Sequence, residues 1–564
     1  MISTADDLVF LFRDNYFWAY LGIAADLILI GVLLVRMFPR LDRYPFWCSL
    51  IALASLALLP AFWFINLAAD PGTGSPYDAW QAFPYSSSYL NLAAARNFAD
   101  SWRPAISWSH PLHGIDAPLH VLLVGFLAKL GDPGAVDRAT MIAARMVGFL
   151  GFFATAMGAG AVALRFTKQR AYFFLAAGLT AVSGPMLVAA GDGRETTLFA
   201  ALILWGWWAC IDEPTTRRGA ILPGVLLGAA ALTRPEGLAL VVAMTILPAV
   251  RSIWRREFHD VAPWMKVLAV AAVVYAPFAI FNWIFTGHAV GSPFYTVPMF
   301  FRRGVPATPS PAVLIGAWGA FLHSAWFVGV LGLLGLLIAR QKRVLAFIAV
   351  VYMGYLMRMP ELLAHDVARV QQPLWPLLAV GVTFGLKTLL AWIDLFAPRE
   401  KVRLARRGIA VTVVVVVAGA SLLAMKAQRR DLNLAYAVTA ENVTAAYAAR
   451  WAAERPGRGG IVATHEAGPS LFLDPRHVVD LTGLTDEDIA RRVAKNRRGP
   501  DALPALVFQK KADVLILHRG LEEHYLHLVE RVGEFGECRR YERDPVYTAQ
   551  PVFDVYKCEW KSTR

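Results

Sequence analysis

"FWAYLGIAADLILIGVLLV" (17–35) and "FWCSLIALASLALLPAFWFINLAA" (46–69) decide the broad architecture. Each is close to the ~20 apolar residues that a helix needs to cross a bilayer. Runs of the same kind recur as far as 409–425. Over 564 residues the chain is 57% hydrophobic with a mean hydropathy of +0.46, which leaves too little polar surface to clothe a soluble globule. The reading is a mainly α, polytopic membrane protein with about twelve to thirteen transmembrane helices. The first run is not a cleavable signal: "MISTADDLVFLFRDN" (1–15) is acidic before it, and Arg36, Arg40 and Arg43 follow it.

Those arginines orient the molecule, since short basic loops are retained in the cytoplasm. The N-terminus is expected outside. "RFTKQR" (165–170), "DEPTTRRG" (212–219), "RSIWRREFHD" (251–260), "RQKR" (340–343) and "PREKVRLARRG" (398–408) are expected inside. The loops opposite them are then external: 69–139, "AAGDGRE" (189–195), "TRPEG" (233–237), 287–312 and "RMPELLAHDVAR" (358–369). "IDAPLHVLLVGFLAKLG" (115–131) breaks the alternation, because it reads as a span with both ends outside or as a re-entrant segment. The net charge of +13 is accounted for by the inside loops and calls for no nucleic acid.

Charged residues and turn signals return after 425, so residues 1–429 form the membrane domain and 430–564 a separate soluble domain on the external side. Four short β-branched runs, "GIVATH", "HVVDL", "ADVLILH" and "PVFDVYKCE", alternate there with helical stretches, which predicts an α/β layer. Cys538 and Cys558 flank an expected hairpin and are read either as a disulfide or as two free thiols. Cys48 and Cys210 fall in spans, where packing is the ordinary role.

Polar clusters beside apolar spans need a reason, because charge near a bilayer is expensive. The external loop 69–113 carries Asp78, the serines of "QAFPYSSSYLNLAAARNFADSW" (81–102), His110 and His113. "HGIDAPLH" brings Asp116 and His120 to a segment end, and "GDGRETTLF" puts Asp192, Arg194 and Glu195 between two helices. "LTRPEGLAL" sets Arg234 and Glu236 beside Pro235 at a helix start, and "HDVARVQQPLWP" adds His365, Asp366 and Arg369. Anions and cations on one face suit phosphate binding with proton transfer. The plainer readings are an N-cap for the serines and ion pairs capping helices for Arg194–Glu195 and Arg234/Glu236. No HExxH, Walker A or strand-linked GxGxxG motif is present. Charges cluster at span ends and neither half repeats the other, against an ion-coupled transporter.

The order "SSSYLNLAAARNFAD", "HGIDAPLHVLLVGFLAKLG", "AARMVGFL", "GRETTLFAALIL", "LGAAALTRPEGLAL", "FNWIFTGHAVGSPFY", "ARVQQPLWPLLAV" and "HVVDLTGLTDEDIA" resembles the GT-C membrane glycosyltransferases, nearest the mycobacterial terminal arabinosyltransferase branch. The resemblance implies a GT-C-like membrane domain and a sugar donor carried on a polyprenyl phosphate. It also implies a glycan or lipid acceptor and transfer at the external face of a bacterial inner membrane, as a step of cell-envelope biogenesis. The family places an acidic pair, in the pattern DDxYI, at the start of the first external loop. Here Ser86, Ser87, Ser88, Tyr89 and Leu90 stand in those places, and a serine hydroxyl cannot replace a carboxylate as base near neutral pH. Asp78 and then Asp116 are the expected substitutes, with His110, His113 and Glu195 as further proton carriers. Ser86, Ser87, Tyr89, Arg194, Arg234, Glu236, Arg302, Arg303 and Arg369 are the expected substrate contacts, because guanidinium grips phosphate bidentately. No spacing demands a metal or other cofactor, and Asp78 with Asp116 could bring a divalent ion to the phosphate. The alternative is a GT-C-like frame that binds or carries a lipid-linked sugar without catalysis.

Overall fold

The computed structural model describes residues 83, 85–106, 114–291 apart from 182 and 212–217, 329–358, 372–396, and in the C-terminal part chiefly 460–473, 477–482, 507–518, 536–541 and 553–560, with isolated residues between. The expected spans at 17–35, 46–69 and 409–425 lie outside these residues. So do Asp78, His110, His113, Arg302, Arg303, His365, Asp366, Arg369 and Cys48.

The membrane part begins with α1 (Ser86–Ser101) and α2 (Pro118–Lys129). The Ala-rich sequence of α1 favours a helix. Its N-cap is Tyr85, in extended conformation and without a side-chain cap bond. This corrects the N-cap reading of the serines: they are the first turn of the helix, not its cap. Trp102 closes α1 in the left-handed region at φ 59°, where its N–H donates to the Phe98 carbonyl and Lys129 sits 4.5 Å over its ring. The segment 115–131 contains a helix of only 12 residues, about 18 Å long at 1.5 Å per residue and too short to cross a bilayer unaided.

The bundle continues through α3 (Val136–Thr167), α4 (Arg170–Ala181), α5 (Gly184–Gly191), α6 (Thr196–Ala209), α7 (Ile221–Thr233), α8 (Glu236–Trp254) and α9 (Val261–Thr286). It closes with α10 (Gly329–Ile338), α11 (Lys342–Arg358) and α12 (Trp375–Phe396). Four helices among the described residues are long and apolar enough to cross a membrane, or five if α4 and α5, bent by 61°, count as one broken span. Small residues let the helices approach. On α7, Gly224 and Gly228 form a GxxxG face against α9; a Cβ would meet Val270 Cβ at 2.5 Å and Val274 Cβ at 2.7 Å. Side chains also bond across helices: Thr197 Oγ1 on α6 donates to the Gly148 carbonyl on α3 at 2.9 Å, and Trp205 Nε1 to the Ala154 carbonyl at 2.9 Å.

The C-terminal part contains β1 (Val462–Thr464), α13 (Gly468–Leu473), β2 (Val478–Asp480), β3 (Val514–His518), β4 (Gly536–Tyr541) and β5 (Phe553–Trp560). The five strands form one sheet in the order β2-β1-β3-β5-β4; the first three are parallel, and β5 runs antiparallel to both β3 and β4. All four β-branched runs became strands. β4, "GECRRY", carries no such signal, because none of its residues is β-branched and Glu537, Arg539 and Arg540 are charged. Cys538 and Cys558 face one another in the β4–β5 register and form a disulfide, which decides between the two readings of this pair.

The sheet-bearing part is joined to the membrane part through α13. Ala467, Leu471 and Phe472 share a core with Tyr89, Leu92 and Ala95 of α1. Phe472 meets the Tyr89 ring edge-on at 5.6 Å and lies under the Arg96 guanidinium at 5.9 Å.

Candidate functional site

Polar residues from six segments converge on the turn between α5 and α6. Gly193 occupies φ +73°, and a Cβ there would strike the Phe83 ring at 2.6 Å, so the turn requires glycine twice over. Asp192 Oδ1 accepts from the Arg194 backbone N–H at 2.8 Å, and Oδ2 accepts from Arg194 Nε and Nη2, each at 2.8 Å. Both side chains are almost wholly buried. Burial pushes the Asp192 carboxyl up, against the pull of the Arg194 guanidinium and N–H. Arg194 also stacks 4.2 Å above the Tyr85 ring, and its Nη2 reaches Gln372 Oε1 at 3.5 Å.

Arg234, at the C-terminus of α7, forms the second half of the cluster. It contacts Glu236 Oε1 at 2.7 Å and Glu195 Oε1 at 3.8 Å, and covers the Phe199 ring at 5.5 Å. The expected pairing of Arg194 with Glu195 is therefore exchanged: Arg194 pairs with Asp192, and Glu195 with Arg234. Pro235 is the N-cap of α8 rather than its first turn.

The serine helix rests on this turn. Ser88 Oγ donates to the Asp192 carbonyl at 2.6 Å. Tyr89 is buried, and its hydroxyl accepts from the Phe83 N–H at 3.0 Å, so it packs instead of lining an open site. Ser87 is half-buried, and the side chain of Ser86 lies outside the described residues. One turn beyond Ser87 on the same face, Asn91 Nδ2 donates to Asp116 Oδ1 at 2.8 Å, bringing the half-buried Asp116 carboxylate against α1.

Two residues were missed or underweighted from sequence. His120 on α2 is fully buried, neither ring nitrogen has a hydrogen-bond partner among the described residues, and it feels the charge of Glu195. Asn91 carries no motif and becomes visible only through its partner. Among the described residues no three His, Cys, Asp or Glu side chains converge as metal ligands would; a divalent ion at Asp116 would draw on Asp78, outside them.

An apolar groove of about 620 Å³ opens along the first half of α2 and the end of α1, at Asn97, Ser101 and Trp102. Ile115 and Pro118, which flank Asp116, line it together with Leu122 of α2, Leu232 of α7 and Phe278 and Phe281 of α9. Over 91% of the chain, at 11% identity, the arrangement matches the apo oligosaccharyltransferase of Archaeoglobus fulgidus with a TM-score of 0.58, spanning 74% of that protein.

The chain shares the fold of that oligosaccharyltransferase. The same oligosaccharyltransferase tethered to an acceptor peptide matches at 0.57, again at 11% identity over 91% of this chain and 74% of that one. ArnT from Cupriavidus metallidurans bound to undecaprenyl phosphate is 14% identical over 89% of this chain and 97% of its own, with a TM-score of 0.49. Residues 433–556 match a family described as a domain of unknown function (DUF8728). No curated protein matches the chain by sequence. Within this fold, the first-turn serines, the α5–α6 turn, the α7–α8 junction and Asp116 all lie at one end of the bundle.

Proposed function

We propose that the chain is a membrane glycosyltransferase that moves a sugar from a polyprenyl-phosphate donor to a cell-envelope glycan or lipid acceptor. The observation that carries this reading is the apolar groove whose wall includes Ile115 and Pro118, on either side of Asp116 in the chain. An isoprenoid tail buried there gains about 25 cal/mol per Å² of apolar surface removed from water, while its polar head stays near a proton acceptor. The GT-C fold supports transfer from a lipid-linked sugar in general. The sequence resemblance makes a pentose, arabinose first, the donor to test.

In this reading the reaction lies at the external face of a bacterial inner membrane, with residues 430–564 as an external domain over the site. Asp116 takes the acceptor proton as the hydroxyl oxygen attacks the anomeric carbon and the polyprenyl phosphate leaves as an anion. Asp78 is the other candidate base. Arg302, Arg303 and Arg369 are the proposed phosphate partners; Arg194 and Arg234 contribute through the field they complete beside Glu195 and Glu236. His110 and His113 are held in reserve as proton carriers.

The test is transfer by purified, detergent-solubilised protein from a panel of polyprenyl-phosphate sugars, beside Asp116→Asn and Asp78→Asn. A base contributes roughly 10²- to 10⁴-fold, so one variant is expected to lose at least about 100-fold in kcat. Wild-type turnover that both variants retain would overturn the assignment of the base. A second reading, a carrier-binding protein without transfer, is favoured by the use of Ser88 to bind the Asp192 carbonyl. Binding of a polyprenyl phosphate without turnover of any donor would support it.

A further inference from the structure

α1 and α2 run side by side in the same direction. Asn91 meets Asp116 near their starts, a Cβ on Gly125 would meet the Ala95 carbonyl at 2.7 Å, and Lys129 Nζ bonds the Ala99 carbonyl at 2.8 Å near their ends. The N-terminal end of this helix pair carries Ser87, Asn91 and Asp116; the groove starts from Ile115 and Pro118 and reaches Asn97 and Ser101 in the C-terminal half of α1. Asn91 is buried, with 6% exposure. Its amide orientation is fixed by chemistry: an ionised carboxylate only accepts, so the nitrogen must face Asp116. The amide oxygen is left buried with no hydrogen-bond partner among the described residues. A buried acceptor left unmade is costly, and a site that holds one discriminates for a ligand that donates to it.

We propose that Asn91 is the positioning residue of the active site: its Nδ2 fixes the Asp116 carboxylate, and its Oδ1 accepts a hydroxyl of the incoming acceptor. The inference rests on the glycosyltransferase reading, in which Asp116 is the base. The class of ligand follows from the atoms: a polyol such as a glycan terminus gives one hydroxyl to Asp116 and a neighbouring one to Asn91. An acceptor with a single isolated hydroxyl satisfies only one of the two. Ser87, one turn earlier on the same face of α1, is placed to contact the same polyol. The carboxylates that the family resemblance leads one to expect on α1 are thus replaced by an amide that holds a carboxylate borne just ahead of α2.

Two measurements on the full chain test this, with Asn91→Leu and Asn91→Asp. The first is independent of turnover: modification of Asp116 by a hydrophobic carbodiimide, which attacks the protonated carboxyl, followed against pH by mass spectrometry. Loss of the amide donor, or a like charge in its place, disfavours the Asp116 anion, so both variants are expected to move the pH of half-modification upward by about one unit. The second is the pH profile of transfer. Asn91→Leu is expected to lose about 10- to 100-fold in kcat. Asn91→Asp is expected to move the acid limb of kcat/KM upward by about one unit. Thermal melting of each variant separates misfolding from loss of positioning. Unchanged modification midpoints in folded variants overturn the proposal whatever the activity. Shifted midpoints in a protein whose wild type turns over no donor support the Asn91–Asp116 pair and remove the glycosyltransferase reading instead.

Discussion

The two ends of the helix bundle use the same residue types for different work. At one end Arg194 and Arg234 are sunk among carboxylates, with Asp192, Glu195 and Glu236 within 2.7–3.8 Å. At the other, cations finish helices: Arg343 donates to the Cys210 carbonyl at the end of α6 at 3.2 Å and covers the Trp264 ring at 4.5 Å. Lys387 reaches the Thr167 carbonyl at the end of α3 at 3.5 Å. The second arrangement is the expected complement to a helix C-terminus. The first goes further: to charges at helix ends, Arg234 closing α7, Glu195 opening α6 and Glu236 in the first turn of α8, it adds a buried Asp192–Arg194 pair folded over Gly193. The difference teaches that where a membrane protein buries more charge than its helix ends call for, a ligand or a reaction is the better account of the excess.

The comparison is broken most severely at the turn. Asp192→Ala leaves the Arg194 guanidinium buried against Tyr85 without its carboxylate, and is expected to destabilise the protein by about 3–5 kcal/mol in thermal or denaturant unfolding. A loss under ~1 kcal/mol would mean that water reaches the pair. At the same end, His120→Leu removes two buried nitrogens that have no bonding partner, so stability is expected to rise by about 1–2 kcal/mol. If transfer falls while the melting temperature rises, His120 is retained for the reaction; destabilisation would show that the ring has a partner in the folded protein.

Arg343→Ala sharpens the contrast from the basic end. It loses one carbonyl bond and one ring contact at a partly exposed site, worth about 1 kcal/mol, and is expected to leave transfer unchanged. A large loss of activity with intact folding would show that the two ends are coupled.

The smallest effect lies in the C-terminal part, where another buried carboxylate has no cation paired with it among the described residues. Burial pushes Asp480 up from 3.8, against hydrogen bonds from the N–H and hydroxyl groups of Thr482 and Thr485. A carboxyl raised in the folded state contributes stability that is present below the unfolded value near 3.8 and is lost as pH rises through the folded value. The melting temperature of wild type relative to Asp480→Asn is therefore expected to increase as pH is lowered toward that range. A difference independent of pH would mean that Asp480 is ionised throughout.

Much of the frame was written in local pattern. Apolar length announced the helices, and Arg343 of the basic segment 340–343 lies over Trp264, just beyond the basic segment 251–260. The four β-branched runs predicted four of the five strands. What local pattern missed had partners far away in sequence. Whether Cys538 and Cys558 pair depends on the β4–β5 register, and Arg194 chose Asp192 over Glu195 because the Gly193 turn folds the chain back on itself.

The triple serine shows the division most clearly. Its composition fixed that α1 begins there without a carboxylate, since residue identity alone excludes a base. What the helix does instead was decided by packing. Ser88 spans 104 positions to reach Asp192, and Asn91 spans 25 to hold Asp116. Apolar periodicity and charge act over a few residues and can be read along a line; hydrogen-bond partners and ion pairs are chosen by which atoms meet once the helices have packed, and only the tertiary structure brings them together.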